Sequence, residues 1–546
     1  MPPPAPAGPV PPETEIPMAP TPTLSRRRLL GGAGAGALLL GTGLVDVGDA
    51  GAAVRLRRNP FTLGVASGDP RPDGVVLWTR LAPEPFEPDG RGGMGKKSVR
   101  VRWEVAADER FRRVVRRGSA VASAELGHSV HPEVDGLEPD RRYWYRFRVG
   151  DHLSPVGRTR TFPRRGSAPK DLRFAFASCQ AWHDGYYTAY DHMAEEDLDL
   201  VVHLGDYLYE KGLKSNKRGV DLPAHFDPET FSLARYRLQY ALYKAERPLQ
   251  RAHAAFPWIQ TIDDHEVENN FADDRSQADT GSDQDPAVFR RRRARAFQAM
   301  YENMPLRRSQ LPDGPDVRLH RRLPYGTLAD FTMLDTRQYR SDQPCGDGES
   351  ASCDERYDPD QTMLGGKQKR WLLDGFSSSR AQWQVLGNQA PMGQTDLTPG
   401  GDETRVYLDP WDGYVAERNQ VLGEAQDRGV RNLVVITGDR HQNYALDLKR
   451  DYDDARSAVV GTEFVGTSIT SGGDGGDRTP EIANLLAANP HFRFANSQRG
   501  YVRVHVDRER WRSDFRVVPY VLRKGAPVST RASLVVQDGR PGVQTS

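Results

Sequence analysis

Four apolar segments of the chain end in residue types that bind metal ions. The residues that follow them are Cys179 after RFAFAS, Asp206 and Tyr209 after LVVHLG, Asp263 to Asn270 after WIQTI, and Asp439 with His441 after NLVVITG. In sheet proteins of this kind, ligands bind beyond the carboxyl ends of strands, where chain-distant loops converge. A single Gly-Asp dipeptide is only a turn signal. Its repetition, together with the neighbouring histidines, predicts a metal site.

The N-terminal residues read as an export signal. Ser25 to Leu30 (SRRRLL) is followed by a Gly/Ala/Leu stretch over residues 31–45 and a small-residue run at 50–53, which is the pattern of a twin-arginine signal peptide. The alternative is a basic cluster capping an ordinary helix, but each of the six glycines in that stretch would weaken a helix by about 1 kcal/mol. We assign residues 1–52 to the signal peptide with a disordered, Pro/Ala-rich N-terminal extension, and predict a secreted, extracytoplasmic protein.

Composition argues against a polyanion partner. The 75 Lys and Arg residues nearly balance the 74 Asp and Glu residues, so no net field draws the molecule to nucleic acid. The Arg-rich segment from Phe289 to Met304 has the apolar spacing of a helix with a solvated charged face. After residue 52 no stretch approaches the roughly 20 apolar residues of a membrane span. We therefore expect no nucleic-acid partner and no transmembrane segment.

The chain is long enough for more than one domain. Residues 59–163 contain short alternating strands that predict a small β-sandwich. Leu137 to Tyr145 (LEPDRRYWY) resembles the fibronectin-III pattern in which a tyrosine bonds back to its backbone. Residues 170–525 alternate apolar strands with helical stretches and predict a layered α/β catalytic domain. Residues 526–546 are interpreted as a C-terminal tail.

The three cysteines have different expected roles. Cys345 and Cys353 close a short polar loop that could form a disulfide after export. Cys179 is then left as an inert buried cysteine, a metal ligand or a nucleophile. A covalent cysteine nucleophile acting on an anionic substrate would need a glycine-rich, anion-cradling loop with a nearby arginine, and ASCQAWHDG offers none. Its position at a strand end favours a metal ligand.

The motifs together resemble a known family. The spacing of Asp206 and Tyr209 in GDYLY resembles the GDxxY motif of purple acid phosphatases. With SCQ, DDHEVENN, GDRHQ and the entry sequence FTLGVASGDPRPDGVVLWTR, the chain is similar to PhoD-like alkaline phosphatases over essentially all residues after 58. This resemblance implies an α/β, four-layer metallophosphoesterase sandwich that follows the β-sandwich domain.

The resemblance also implies a ferric ion and a calcium ion (Fe3+, Ca2+). The implied ferric ligands are Cys179, Asp206, Tyr209 and His441. The implied calcium ligands are Asp206 as the shared ligand, Asn270 and Asp439, with Asn269 as a close competitor of Asn270. Carboxylate and amide oxygens suit calcium.

The sequence departs from the general metallophosphoesterase pattern at two places. Cys179 stands where the first strand usually ends in Asp-x-His, and Asp439 stands in the usual Gly-His-x-His motif. A thiolate and a phenolate both donate strongly to Fe(III), which supports a ferric site over a dizinc site, although zinc also accepts thiolate and imidazole.

Two residues beside these ligands are candidate catalytic groups. His265, in the DDHE turn, is placed by the resemblance near the leaving group or the phosphate; its alternative is a histidine hydrogen-bonded under the loop. Arg337, in LDTRQYR, could bind phosphate oxygens through its planar fork. Its alternative is an ordinary surface ion pair.

The predicted function is hydrolysis of phosphate monoesters and diesters by attack of a metal-bound hydroxide. The expected partners are phosphate ester substrates and, during export, the twin-arginine translocase, and the protein is expected to be a monomer. The alternative function is an exported binding or cell-surface protein that uses the β-sandwich and carries an inactive metal site.

Overall fold

The computed structural model describes residues 56–545 apart from residues 280, 401, 402 and 455. The predicted signal peptide and N-terminal extension, residues 1–52, lie outside the described residues. Among the residues that are described, no helix combines the length and the apolar composition needed to cross a membrane.

The strands occur throughout the described chain. Their bounds are β1 (Val65–Arg71), β2 (Gly74–Arg80), β3 (Val99–Ala106), β4 (Val114–Ala122), β5 (Ser129–Val130), β6 (Glu133–Val134), β7 (Arg142–Val149), β8 (His152–Leu153), β9 (Gly157–Arg160), β10 (Asp171–Ala177), β11 (Leu200–His203), β12 (Pro257–Gln260) and β13 (Arg321–Tyr325). They continue with β14 (Ala329–Met333), β15 (Glu349–Ser350), β16 (Trp383–Gly387), β17 (Val406–Tyr407), β18 (Leu433–Thr437), β19 (Asn443–Lys449), β20 (Val459–Val465), β21 (Phe492–Asn496), β22 (Arg499–Asp507), β23 (Arg510–Val518), β24 (Ser529–Gln537) and β25 (Arg540–Thr545).

Most of the helices lie between strands of the α/β region. The α-helices span Thr188–Glu195, Leu233–Lys244, Arg247–Ala255, Pro286–Asn303, Gly365–Ser378, Val415–Asp427 and Pro480–Ala488. Short 3₁₀ turns occur at Ala124–Leu126, Trp182–Asp184, Ala224–Phe226, Arg308–Gln310, Pro344–Gly346, Asp354–Tyr357 and Trp411–Gly413.

Two large sheets carry the α/β region. The first has eleven strands in the order β25-β24-β23-β22-β10-β11-β12-β1-β2-β5, with β6 paired to β2, and the second has seven strands in the order β13-β14-β16-β18-β20-β19-β21. The pairs β10/β11, β11/β12 and β12/β1 are parallel, as are β14/β16, β16/β18 and β18/β20. The fold is therefore mixed α/β, as the sequence predicts.

Register brings three of the predicted site loops to one sheet edge. Ala177 at the end of β10 pairs with His203 at the end of β11, and His203 pairs with Gln260 at the end of β12. Parallel strands in this register end side by side, so the loops that follow them start as neighbours. A parallel bridge between Ser178 and Ser468 connects this edge to the segment that follows β20 of the second sheet.

Alternate residues of the central strands enter different cores, because successive side chains of a strand point to opposite faces. Phe174 of β10 packs edge-to-face on Phe331 of β14 and on Trp511 of β23, with ring centroids 5.2 and 5.5 Å apart, in the core between the two sheets. Ala175 instead belongs to the core beneath the helices that cover the eleven-stranded sheet. A third core joins the seven-stranded sheet to its own helices, including Leu372 and Val421.

The strands of the N-terminal region are divided between a small sheet and the large sheet of the catalytic region. Strands β3, β4, β7, β8 and β9 make a separate five-stranded sheet. Strands β1 and β2, within the predicted β-sandwich of residues 59–163, instead extend the eleven-stranded sheet, because β1 pairs in parallel with β12. Val75 and Leu77 of β2 share a core with Val101 and Tyr145 of the small sheet. The hydroxyl of Tyr143 accepts a hydrogen bond from the backbone N–H of Glu138 at 2.9 Å, as the fibronectin-III pattern predicts.

The prediction of a C-terminal tail at residues 526–546 was wrong. Residues 529–545 contain β24 and β25, which close one edge of the eleven-stranded sheet. Leu534 and Val536 are 5% and 1% exposed in the core between the two sheets. Burial of these apolar side chains stabilises the segment as sheet.

Replacing Leu534 with alanine is expected to lower the free energy of unfolding by about 2 to 4 kcal/mol, because it removes buried methyl groups and leaves a cavity. Urea denaturation followed by circular dichroism measures the change. The control is Val121→Ala on β4, where the side chain is 59% exposed and the expected cost is below about 1 kcal/mol. Equal costs for the two variants would contradict a core role for β24.

Candidate metal centre

The predicted ligands sit on strand-end loops with an unusual backbone conformation. Positive φ angles occur at Cys179 (57°), Asp206 (55°), Asn270 (52°), Asp439 (66°) and His441 (56°). Such angles are uncommon outside glycine, although Asn, Asp and His adopt them more readily than other residues, so Cys179 is the most unusual case. Each costs about 1 to 3 kcal/mol that surrounding structure must offset. Strain of this kind clusters at functional sites, and here it coincides with the residues that the sequence singled out.

One side of the centre contains a thiol, a carboxylate, an imidazole and a phenol. Ligand atoms of Cys179, Asp206 and His441 all lie within 4.8 Å of one another. The hydroxyl of Tyr209 donates to Oδ2 of Asp206 at 2.7 Å and lies 3.1 Å from Nε2 of His441. The hydroxyl of Ser471 donates to the Tyr209 oxygen at 2.8 Å. The structure thus brings the four predicted ferric ligands together.

The other side of the centre is dominated by carboxylates. Asp206, Asp264 and His265 form one close group, and Asp263, Asp264 and Asp439 form another. Asp206 and Asp264 each belong to more than one group, which makes the centre continuous. Asp439, predicted as a calcium ligand, is therefore next to carboxylates that the sequence analysis did not select.

Several oxygens of this centre are buried without a hydrogen-bond partner. Within the described residues these are Oδ1 of Asp206, Oδ2 of Asp263 and Oδ1 of Asp264. A buried, unsatisfied carboxylate oxygen is costly, and three in one place are the arrangement that a bound cation would satisfy. The donor set therefore fits metal ions.

The electrostatics of the centre agree with this interpretation. Burial, together with the charges of Asp264 and Glu266, raises the pKa of Asp206 well above its usual range. Burial likewise raises the pKa of the Cys179 thiol and of the Tyr209 phenol, with Asp206 adding to both effects. Burial raises the pKa of Asp439 to about 6. A bound cation would favour the deprotonated form of every one of these groups.

His265 is held between the phenol and a carboxylate. Its Nδ1 lies 2.7 Å from Oε2 of Glu210, and its ring stacks on Tyr209 with centroids 4.1 Å apart. Burial opposes the charged imidazolium most strongly, but Glu210, Asp264 and Asp206 together hold the pKa of His265 well above its usual value. The histidine is therefore part of the centre, and Glu210 sets its orientation.

Arg337 is fully buried and its partners are carboxylates of the centre. Nε donates to Oδ1 of Asp263 at 2.6 Å and Nη1 donates to Oδ1 of Asp409 at 2.9 Å. Nη2 lies 3.7 Å from Asp264 and 3.8 Å from Asp439, and no hydrogen bond satisfies it among the described residues. The alternative of an ordinary surface ion pair is wrong. Two of the three guanidinium nitrogens are engaged, and the third faces the carboxylates.

The two candidate asparagines differ in their contacts. The backbone N–H of Asn270 donates to Oδ2 of Asp264 at 2.7 Å, and its side-chain amide donates to Oδ2 of Asp347 at 2.7 Å. The backbone N–H of Asn269 is 3.3 Å from Oε1 of Glu210. Asn270 therefore contacts a carboxylate of the centre directly, while Asn269 contacts the residue that orients His265.

The cysteines are placed as the sequence indicates. Cys345 and Cys353 form a disulfide, which closes the loop that carries Asp347. Cys179 is free and 1% exposed, and it lies beside Asp206 and His441, as its position at a strand end indicates.

Sequence reasoning did not select several residues that complete the centre. The side chain of Glu266 accepts hydrogen bonds from the backbone N–H groups of Asp206, Tyr207 and Asp263 at 2.7 to 3.1 Å, which ties two ligand loops together. Asp263 and Asp264 were visible in the DDHE motif as adjacent strand-end carboxylates. No local pattern marked Asp409, which pairs with Arg337 and Arg340 and accepts a hydrogen bond from the side-chain amide of Gln343.

This combination of a mixed α/β fold and a cluster of thiol, phenol, imidazole and carboxylate groups at a sheet edge is typical of metalloenzymes. Comparison with known proteins identifies the kind. The family model described as "PhoD-like phosphatase" matches residues 174–515, and that described as "PhoD-like phosphatase, N-terminal domain" matches residues 48–163.

Two relatives are similar along nearly their whole length. Alkaline phosphatase D of Bacillus subtilis (strain 168) is 48% identical over 529 residues, which cover 96% of this chain and 89% of the relative. A solved structure described as "Structure of PhoD" is 47% identical with a TM-score of 0.85, and the match covers 90% of this chain and 93% of that one. The chain belongs to the PhoD-like phosphatase family and is a phosphoric ester hydrolase.

The contact between Glu210 and His265 leads to a prediction for activity. Replacing Glu210 with glutamine is expected to lower kcat about 10- to 100-fold, because a residue that orients a site histidine has an effect of this size. Hydrolysis of nitrophenyl phosphate measures it. Glu196→Gln is the matched control, since Glu196 is 11% exposed and pairs with Arg503 and Arg516. A loss of activity in Glu196→Gln without a loss in Glu210→Gln would contradict the role assigned to Glu210 in orienting His265.

The same pair predicts a pH dependence in chelator-treated protein. The raised pKa of His265 means that its contribution to stability is present below the ordinary histidine pKa and lost as pH rises through the folded value. Burial opposes the charged form of Glu210, but His265 more than offsets this and lowers the pKa of Glu210. The contribution of Glu210 to stability is therefore lost as pH falls through its folded pKa. Glu210→Gln should therefore cost most stability near neutral pH, and least at strongly acid or alkaline pH.

Proposed function

We propose that this chain is an exported phosphatase that hydrolyses phosphate monoesters and diesters at a centre of one ferric ion and calcium. The observation that carries the proposal is the convergence of Cys179, Asp206, Tyr209 and His441 beside buried carboxylate oxygens that have no hydrogen-bond partner in the described part of the chain. When bound, the metal ions would neutralise phosphate oxygens and supply hydroxide at ordinary pH.

The donor types divide the centre between the two metals. The thiolate of Cys179 and the phenolate of Tyr209 suit Fe(III), with His441 and Asp206 completing the set. Oxygens alone suit calcium, which assigns it to Asp206, Asp439 and Asn270. The proximity of Asp263 and Asp264 to Asp439 supports adding them to the acidic wall of the calcium site.

The chain's own residues then bind and orient the ester. His265, held by Glu210, would donate a proton or hydrogen bond to the leaving oxygen. Arg337 would act mainly as a positioning residue, because Nε and Nη1 are engaged by Asp263 and Asp409. Its Nη2, directed towards the carboxylates, is the remaining donor for a phosphate oxygen.

The proposal also covers the location of the protein and the architecture of its domains. The Ser25 to Leu30 motif supports export through the twin-arginine translocase to an extracytoplasmic location, and we expect a monomer. The three cores between sheets and helices support a four-layer metallophosphoesterase sandwich. The Tyr143 hydrogen bond supports kinship of the small sheet with fibronectin-III modules.

The test is to assay purified protein containing iron with nitrophenyl phosphate and bis-nitrophenyl phosphate, before and after removal of calcium with a selective chelator. Activity lost on chelation and restored by calcium would support the mixed-metal assignment, and the ratio of the two rates would rank monoester against diester. Iron and calcium content are measured in the same samples.

The competing function is an exported binding protein with an inactive metal site. It predicts no turnover of either ester by iron- and calcium-replete protein. That result would overturn the proposed activity.

A further inference from the structure

A second acidic cluster begins at Glu268, the residue before Asn269 and Asn270. Ligand atoms of Glu268, Asp279 and Asp283 all lie within 4.8 Å of one another. Glu268 follows the DDHE turn, and the two aspartates lie just before the helix Pro286–Asn303. The cluster shares none of its members with the groups of the metal centre described above.

One arginine faces this cluster. Nη1 of Arg292 lies 2.8 Å from Asp283 and 3.1 Å from Glu268, and Nη2 lies 2.5 Å from Glu229. The guanidinium is only 1% exposed. Arg292 thus pairs with three carboxylates, and Asp279 adds a fourth close to two of them. One positive charge against these groups leaves an excess of negative charge when all four are ionised.

Two carboxylate oxygens of the cluster remain unsatisfied. Oε2 of Glu268 and Oδ1 of Asp283 are buried and have no hydrogen-bond partner within the part of the chain that the structure describes. Their side chains are 4% and 0% exposed. Arg292 engages the other oxygen of each carboxylate, so it does not relieve this cost.

We propose that Glu268, Asp279 and Asp283 bind a calcium ion that pins the loop of residues 269–285 to the helix Pro286–Asn303. The donors are all carboxylate oxygens, which suit a hard divalent cation such as calcium better than zinc or copper. Asp279 is exposed, so water can complete the flexible coordination shell that calcium accepts. This inference goes beyond the proposed function and does not depend on it.

Asp279 is already oriented by its own loop. Its Oδ1 accepts hydrogen bonds from the backbone N–H of Gly281 at 2.6 Å and from the side-chain amide of Gln284 at 3.1 Å. Calcium would therefore join two segments that are separated in sequence, Glu268 on one side and residues 279–283 on the other. The loop between them contains Arg275, whose side chain is 65% exposed.

The test compares Asp279→Asn with Asp274→Asn in the full chain. Both remove one carboxylate from the same loop, but only Asp279 belongs to the cluster. Equilibrium dialysis with calcium should show about one calcium ion fewer per chain in Asp279→Asn and no change in Asp274→Asn. Anomalous diffraction from crystals soaked in manganese should show a peak between the three carboxylates in the wild type.

Trypsin cleavage after Arg275 gives an independent readout. Calcium at about ten times its dissociation constant should slow this cleavage roughly tenfold in the wild type and in Asp274→Asn, but not in Asp279→Asn. Unchanged calcium stoichiometry in Asp279→Asn, or no anomalous peak at the cluster, would overturn the proposal. Phosphatase activity is not a readout here, so failure of the proposed activity would leave these outcomes decisive.

Discussion

Asp206→Asn is expected to lower kcat/KM about a thousandfold or more and, in metal-free protein, to raise the free energy of unfolding. Asp206 is the residue common to the thiol side and the carboxylate side of the centre. Removing its charge is expected to cost several kcal/mol of metal-assisted stabilisation of the transition state, and each 1.4 kcal/mol lowers the rate about tenfold.

The gain in stability follows from the burial of Asp206. Its side chain lies in a site that raises its pKa well above the usual range, and Oδ1 has no hydrogen-bond partner in the described chain. An asparagine keeps an acceptor for the Tyr209 hydroxyl, tolerates the positive φ and carries no charge. We expect a gain of about 1 to 3 kcal/mol, measured by urea denaturation in the presence of a chelator.

Asp412→Asn is the matched control for this variant. Asp412 is also buried, but it accepts hydrogen bonds from the backbone N–H of Thr395 at 2.8 Å and from Arg418 at 2.5 Å. Because its charge is compensated, the substitution should cost stability and leave kcat nearly unchanged. If Asp206→Asn behaved like Asp412→Asn in both measurements, Asp206 would not be a ligand.

Arg337→Met is expected to cost about 3 to 5 kcal/mol of unfolding free energy at neutral pH in metal-free protein, because it leaves buried carboxylates without their cation. Arg337 contacts Asp263 and Asp409 directly and faces Asp264 and Asp439. The substitution also removes the guanidinium group that holds Asp263 in position, so kcat should fall as well.

The pH dependence separates this electrostatic cost from loss of packing. Burial raises the pKa of Asp264, but Arg337 and His265 more than offset it and hold this pKa below the usual value. A depressed folded pKa contributes stability above the unfolded value, and this contribution is lost as pH falls through the folded one. The difference in unfolding free energy between wild type and Arg337→Met should therefore persist from pH 7 down to about 4, the ordinary aspartate pKa, and narrow as the pH falls further towards the depressed folded value.

Arg418→Met is the control for this prediction. Arg418 is 1% exposed and pairs with Asp412 at 2.5 Å, away from the metal centre. It should also cost stability, but the folded variant should keep the wild-type kcat. A difference between wild type and Arg337→Met that did not change with pH would indicate that Arg337 acts by packing alone.

The sequence by itself determined which loops carry the candidate ligands. An apolar strand followed at once by a polar ligand is a local pattern, and Cys179, Asp206, Asp439 and His441 all show it. The sequence also indicated that Cys345 and Cys353 could form a disulfide, because a short loop keeps the two thiols near each other, and the structure shows the bond.

The C-terminal strands show the limit of local patterns. The segment that contains Leu534 and Val536 is short and lies next to polar residues, so its pattern does not reveal whether a sheet edge is available for it. The edge is provided by β23, and pairing with it gives the segment its hydrogen bonds and its buried face. Likewise, only the pairing of β1 with β12 joins the N-terminal strands to the catalytic sheet.

Tertiary structure alone decided how the charges are compensated. Arg337 meets Asp263, Asp409 and Asp439 from separate segments of the chain, and Glu210 reaches His265 from a neighbouring loop. The residue type shows that a side chain can carry a charge. Which oppositely charged side chain it pairs with depends on which distant loops the sheet register brings to one edge. For that reason the sequence could indicate the candidate ligands, while the residues that hold them in position could be identified only from the fold.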